Sequence, residues 1–139
     1  YLTGWSAILY PGRKQMDIII SNNSNSPIYE QITTQIKEMI LNGTLQEGDA
    51  LPSMRTLAKD LRISIITTKR AYEDLERDGF IESFTGRGSF VKAAGKELMQ
   101  EELLCQVQDL AEQTCKKAAL AGLSLEELLE TMRLIYDGD

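Results

Sequence analysis

Arg55, Thr67, Lys69, Arg70 and Arg87 are the side chains of this 139-residue chain whose types and spacing bear on chemistry, and that chemistry is recognition rather than bond-making. Arginine offers a planar fork of donors to a phosphate or a guanine edge, lysine a point charge, and serine or threonine a hydroxyl suited to base edges and phosphate oxygens. For Arg55 the alternative is a solvated arginine, and for Thr67 support of a helix cap. The chain has no histidine, which removes the commonest general base, the commonest metal ligand and the physiological pH switch together. No nucleophile, base or metal-binding set can be assembled, so no catalytic residue, metal or cofactor is expected. Gly86-Arg87-Gly88 has the composition of a phosphate-cradling loop but lacks the four-residue gap, the lysine and the following helix of a nucleotide P-loop. Its glycines instead permit positive φ and close backbone approach, with Arg87 placed to enter a minor groove or meet a phosphate.

The elements that must position these residues follow from caps and periodicity. Ser26-Pro27 is expected to start a helix with serine as N-cap, carrying Ile28, Ile32, Ile36 and Ile40 on one stripe and ending at Asn42-Gly43. Ser53 caps a short helix with Leu57, Ala58 and Leu61 inward; Arg62-Ile63 turns; Ser64 caps a further helix with Thr68, Ala71, Tyr72 and Leu75 inward. That leaves Ile65, Ile66, Thr67, Lys69 and Arg70 outward near the helix N-terminus, where free amides and the positive dipole end favour phosphate, while Glu73, Asp74, Glu76 and Asp78 crowd the later turns. One of Ile65 and Ile66 is a candidate contact for a thymine methyl; the alternative for Ile66 is completion of the core. Phe80–Phe84 and Ser89–Lys92 read as strands around a tight turn, Thr85 to Gly88. Two capped helices followed by a small β-ribbon form the pattern of a winged helix-turn-helix. A merely structural helical hairpin is the competing reading, and an exposed cation at a ribbon tip is a costly ornament for a core.

From Gly95 the pattern becomes a long helix with Leu103, Leu104, Val107, Leu110, Ala111, Thr114, Ala118 and Ala121 on its apolar side, stopping at Gly122. Ser124 and Glu127 form a capping box that launches a last helix with Leu125, Leu128, Leu129, Met132 and Ile135 inward. A private helical hairpin is the alternative to a subunit interface here, but two helices cannot easily bury both faces by themselves. Leu103, Leu104, Val107, Leu110, Ala111, Leu128, Met132 and Ile135 are therefore expected to pair two chains, which also suits DNA reading, since paired half-sites lie about 34 Å apart.

Net charge is −6, which argues against indiscriminate coating of phosphate. Its distribution is uneven: basic and acidic side chains number two and one over residues 1–26, nine and ten over 27–92, and four and ten over 93–139. Cys105 and Cys115 are expected to be buried, reduced thiols; ten residues of one helix put them about 15 Å apart, too far for a disulfide within the chain. No apolar run approaches the ~18 residues that span a bilayer and no signal-peptide pattern is present, so no membrane partner and a cytoplasmic location are expected. Residues 1–15 match no element of the pattern that begins beyond them, and Met16 reads as a natural start; they are expected to be upstream sequence, with a short extra strand as the alternative.

The stretch from Leu51 to Val91 resembles the N-terminal domain of the GntR family of bacterial transcription regulators. Leu51-Pro52-Ser53, Arg55, Leu57-Ala58, Leu61, Ser64, Thr67, Ala71, Leu75, Gly79, Ile81, Gly86, Gly88 and Phe90-Val91 match its spacing, as does Pro27-Ile28-Tyr29-Glu30-Gln31-Ile32 upstream. The tail beyond residue 93 is too short for the larger effector domains of most subfamilies and resembles the YtrA type, in which a short helical tail makes the dimer. The resemblance implies a mainly α (α+β) fold, with a winged helix-turn-helix over residues 16–92 and a helical dimerisation domain over 93–139. It implies a homodimeric repressor on a palindromic double-stranded DNA operator, often of a neighbouring ABC-transporter operon, with DNA contacts at Arg55, Ser64, Thr67 and Lys69 and at wing residues Thr85, Gly86 and Arg87. Many relatives have arginine where this chain has Ile65, so their base preference does not transfer. The sequence names no small-molecule effector. The acidic balance leaves a protein-interaction module on the same fold as the alternative function.

Overall fold

The isoleucine stripe of the first helix organises the larger of the two units into which the chain divides. A computed structural model describes residues 16–138; the expectation for residues 1–15 lies outside the described residues. Helix α1 (Ile28–Leu41) buries Ile32, Ile36 and Ile40, with Ile28 half-buried at the margin. Its start departs from the expected serine cap. Pro27 itself is the N-cap, at φ −58 and ψ 154 with no side-chain cap, and its carbonyl accepts from the amides of Glu30 and Gln31, both at 3.1 Å. Ser26 serves differently: its carbonyl accepts from the Gln31 side-chain amide at 3.0 Å.

Gln31 and Gln35, one turn apart on α1, substitute for a strand partner. Gln31 exchanges two hydrogen bonds with the Ser21 backbone, at 2.8 and 3.0 Å, and Gln35 two with the Ile19 backbone, at 2.9 and 2.7 Å. The extended segment they hold is not a β-strand, yet it fully buries Met16 and Ile18.

Helix α2 (Met54–Leu61) is capped by Ser53, which accepts from the Thr56 amide at 3.0 Å, and buries Leu57, Ala58 and Leu61. Arg62 turns the chain in the left-handed conformation, φ 58 and ψ 46, unusual for a residue with a Cβ. Helix α3 (Ile65–Arg77) follows at once, capped by Ser64, which accepts from the Ile66 amide at 3.0 Å. The expected inward stripe, Thr68, Ala71, Tyr72 and Leu75, is buried. Tyr72 meets the requirement that a buried hydroxyl be paired by donating to the Pro52 carbonyl at 2.7 Å, tying α3 to the approach of α2.

Strands β1 (Ile81–Phe84) and β2 (Gly88–Val91) pair antiparallel with Ile81 opposite Val91 and Phe84 opposite Gly88, and Ala50 adds an isolated bridge to Phe90. Ile81 and Val91 point into the core, anchoring the base of the ribbon. Helix α4 (Ala93–Leu120) starts two residues before the expected Gly95, because Gly95 sits in the first turn where its amide donates to the Gly79 carbonyl at 2.8 Å.

Contacts separate residues up to Gln100 from those beginning at Glu101. In the second unit α4 runs to Leu120, and α5 (Leu125–Asp137) follows with the expected capping box: the Ser124 amide donates to Glu127 at 2.9 Å and the Glu127 amide to Ser124 Oγ at 3.2 Å. The backbone and side-chain hydrogen bonds from Ser124 hold the Glu127 carboxyl below its ordinary value. Thr114, Ala118 and Ala121 of α4 face Leu128 and Thr131 of α5 across a shallow depression, with Ala118 buried. The stripe expected to face inward on α5 does not: Leu128 is half-buried, while Leu125, Leu129, Met132 and Ile135 are exposed. Cys105 and Cys115 are likewise exposed rather than buried, because one short helix opposite α4 covers little of its surface: among the described residues of this unit Ala118 alone is buried. Among the described residues no helix is long and apolar enough to cross a membrane.

Candidate nucleic-acid interface

The Ser64 cap fixes the N-terminus of α3, and the four inward residues fix its rotation and with it which side chains face outward. Ile65, Ile66, Lys69 and Arg70 are exposed and Thr67 is half-buried. Ile66 is 76% exposed, which excludes its completing the core, and Ile65 is 44% exposed. Two isoleucines side by side in water at the free-amide end of a helix are apolar surface without a folding role in this unit. The Ser64 hydroxyl accepts the Ile66 amide and still carries a proton to donate.

The wing stands beside this helix end. Ser53, Met54 and Arg55 of the α2 start, Ile65 of α3, and Ser83 to Ser89 of the ribbon surround a depression of about 470 Å³ open to solvent. Arg55 and Arg87 are both exposed on its rim. At the tip the Arg87 amide donates to the Phe84 carbonyl at 2.9 Å, closing a turn whose third residue, Gly86, has φ 79. Gly88 follows at φ 104, and open space surrounds the Cβ position of both glycines, so it is the left-handed backbone rather than crowding that calls for glycine. The Arg87 guanidinium lies 5.3 Å from the Phe84 ring centroid, and Phe84 packs on Phe90 with centroids 6.1 Å apart. The two serine hydroxyls of the facing strands, Ser83 and Ser89, are 2.7 Å apart and lock the register beneath the tip. The ribbon thus presents a cation on a braced arm.

The acidic later turns of α3 are partly neutralised internally. Asp74 accepts from Arg77 at 3.0 Å; Asp78 accepts from Lys37 of α1 at 3.0 Å and from Arg77 at 3.3 Å. Burial pushes the Asp78 carboxyl up, but the hydrogen bonds and charges of Lys37 and Arg77 outweigh it and hold the group below its usual value. Asp78 in turn raises Arg77. Lys69, Arg55 and Arg87, by contrast, form no salt bridge among the described residues.

Arg70 is placed differently from its neighbours. Its guanidinium lies 3.8 Å from the ring centroid of Tyr29 on α1 and donates to the Tyr29 hydroxyl at 3.1 Å. Periodicity could not reveal this pair, whose members are 41 residues apart; the only trace in the sequence is Tyr29 within the Pro27 to Ile32 match. Ser64, Ile65, Ile66, Thr67, Lys69 and Arg70 therefore share one end of α3, with Arg55 and Thr85, Gly86, Arg87 and Gly88 on one side of it and Tyr29 on the other.

The family model described as bacterial regulatory proteins, gntR family, matches residues 28–91, the span from α1 through β2. The chain is 38% identical over 118 residues to the HTH-type transcriptional repressor YtrA of Bacillus subtilis, covering 85% of this chain and 91% of that one. Among solved structures, it is similar to YtrA from Sulfolobus acidocaldarius, a GntR-family transcription factor, with TM-score 0.53 and 37% identity over 66% of this chain and 97% of that one. A transcriptional regulator from Oenococcus oeni superposes with TM-score 0.62 at 26% identity, covering 84% and 97%. A capped helix beside a cation-tipped ribbon, carried by a sequence this similar along most of its length, places the chain in the GntR family of DNA-binding bacterial regulatory proteins, with the YtrA-type regulators.

Proposed function

We propose that the chain is a homodimeric repressor that reads a palindromic operator, one half-site per winged helix-turn-helix. The N-terminal half of α3 enters the major groove with Ile65, Ile66, Thr67 and Lys69 toward the bases, and Ser64 and the free amides toward phosphate. Arg55 and the wing, Thr85 to Gly88, follow the adjoining backbone or minor groove. The observation that carries this reading is the convergence of exposed Ile65, Arg55 and the ribbon tip on one depression, although they come from three separate elements.

The apolar residues of the second unit support pairing. Leu103 is 41% exposed, Leu104 57%, Val107 59%, Leu110 62%, Met132 46% and Ile135 70%, and Ala111 is exposed as well. Such a surface on a charged helical pair is covered most economically by a second copy, and two-fold pairing supplies the second half-site. The operator is assigned to the chain's own promoter region, and the regulated genes to an adjoining ABC-transporter operon, as the family resemblance implies.

A mobility-shift titration of the promoter fragment tests the reading. The wild-type chain is expected to shift it with an affinity that falls steeply as salt rises, through counterion release. The Arg55→Ala, Arg87→Ala double variant should bind at least about tenfold more weakly, the scale of ~1–3 kcal/mol for a good base contact. No shift at low salt, or an undiminished shift by the double variant, would sink the assignment.

A further inference from the structure

Ile65 and Arg70 lie on opposite flanks of α3: five residues at 3.6 per turn separate them by about 140°. The Ile65 flank faces Arg55 and the wing, as the shared depression shows. The Arg70 flank faces α1 through Tyr29. A helix roughly 10–12 Å across fills a major groove about 12 Å wide, so each flank of an inserted helix meets one of the two phosphate walls. The wing and Arg55 serve one wall. Among the described residues, the structure prepared for the other is the Tyr29–Arg70 pair.

The pair has the properties of a clamp rather than of a structural tie. Arg70 is exposed, and no carboxylate among the described residues forms a salt bridge with it, although Glu73 and Asp74 stand three and four residues along the same helix. Asp74 is occupied by Arg77. The guanidinium spends one donor on the Tyr29 hydroxyl and lies over the ring, which leaves its charge whole and most of its five N–H groups free. Tyr29 is half-buried against the core, so the ring is a fixed platform, and its hydroxyl keeps a proton of its own to donate.

We propose that Tyr29 is a positioning residue that holds Arg70 against the phosphate backbone on the groove wall opposite the wing. The inference rests on the reading of α3 as the groove-entering helix. It assigns Arg70 to sequence-independent grip rather than to base reading, and brings α1 into the interface.

The test measures affinity of the full chain against salt concentration, on the promoter fragment and on a random duplex of equal length. Arg70→Ala is expected to make the log–log slope shallower by about 1.8, ~0.9 for the one phosphate lost by each of the two subunits, and to weaken both duplexes by the same factor. Tyr29→Ala should move the slope the same way with Arg70 intact, Tyr29→Phe should keep most of the wild-type slope, and the Tyr29→Ala, Arg70→Ala double variant should bind no more weakly than Arg70→Ala alone. An unchanged slope in Arg70→Ala, a loss confined to the promoter fragment, or additive losses would each overturn the proposal. So would a lowered Tm with a wild-type slope, which would make the pair a tie between α1 and α3. If the wild-type chain shows no salt-dependent affinity for either duplex, the reading of α3 itself fails and the clamp with it.

Discussion

Lys37 lies between a carboxylate and an aromatic ring: its Nζ is 3.0 Å from Asp78 and 5.2 Å from the Phe80 centroid, so one ammonium ties α1 to the turn that ends α3. Because Asp78 is held below its ordinary value when folded, the unfolded chain binds more protons near pH 4. This contribution to stability is therefore complete above the ordinary carboxylate range and is lost as pH falls through the lowered value. Lys37→Met should cost about 1 kcal/mol or less at neutral pH, the modest worth of a partly exposed ion pair, and the deficit should close once Asp78 is protonated in both proteins. Urea unfolding from pH 2 to pH 7 follows this, and a deficit constant across that range would contradict it. At this scale the sequence is legible where a residue acts on its own neighbourhood. Ser53, Ser64 and Ser124 are caps because a hydroxyl there reaches an amide two or three residues on. Ser26 departs from that rule because a glutamine five residues away takes its carbonyl and Pro27 takes its place. Tyr29 carries no local signal because its partner is distant in the chain.

Elements are legible where one periodicity repeats long enough to fix a face. The stripes of α1 and α3 are buried as expected for that reason. The first turn of α4 escapes the pattern, because Gly95 resembles a helix boundary in sequence and is a packing requirement in the fold. A Cβ on Gly95 would lie 2.6 Å from Phe80 Cδ1 and 2.8 Å from the Gly79 carbonyl carbon. Alanine in a helix interior ordinarily gains about 1 kcal/mol over glycine. Here overpacking of about 1–3 kcal/mol opposes that gain, and because a backbone atom is among those struck, overpacking should win. Gly95→Ala is expected to lower stability by about 1–2 kcal/mol in thermal or urea unfolding, and a stabilised variant would show that the junction of wing and α4 yields easily.

The whole molecule divides its labour by charge and by apolarity. Residues 93–139 carry four basic and ten acidic side chains, while the side chains assigned to DNA lie in a segment of nearly balanced charge. The apolar residues at 103, 104, 107 and 110 are exposed in the single chain, so altering them costs its fold little. Val107→Glu with Leu110→Glu should leave the Tm of a dilute sample within a few degrees and convert dimers to monomers in light scattering, with operator affinity reduced by tenfold or more; a persistent dimer would place the pairing surface elsewhere. The sequence points to unpaired apolar surface in the tail but hides the exposure of α5 and of both thiols, because burial there depends on what stands opposite, and one chain supplies too little.

Those exposed thiols carry a practical consequence. Cys105 and Cys115 sit ten positions apart on one helix, about 15 Å along its axis, and they are the chain's only cysteines. The native sequence therefore comes with two addressable attachment points for spin labels or fluorophores on the helix assigned to pairing. A ruler for the assembly is built into the protein, and no engineered cysteine is needed to read it.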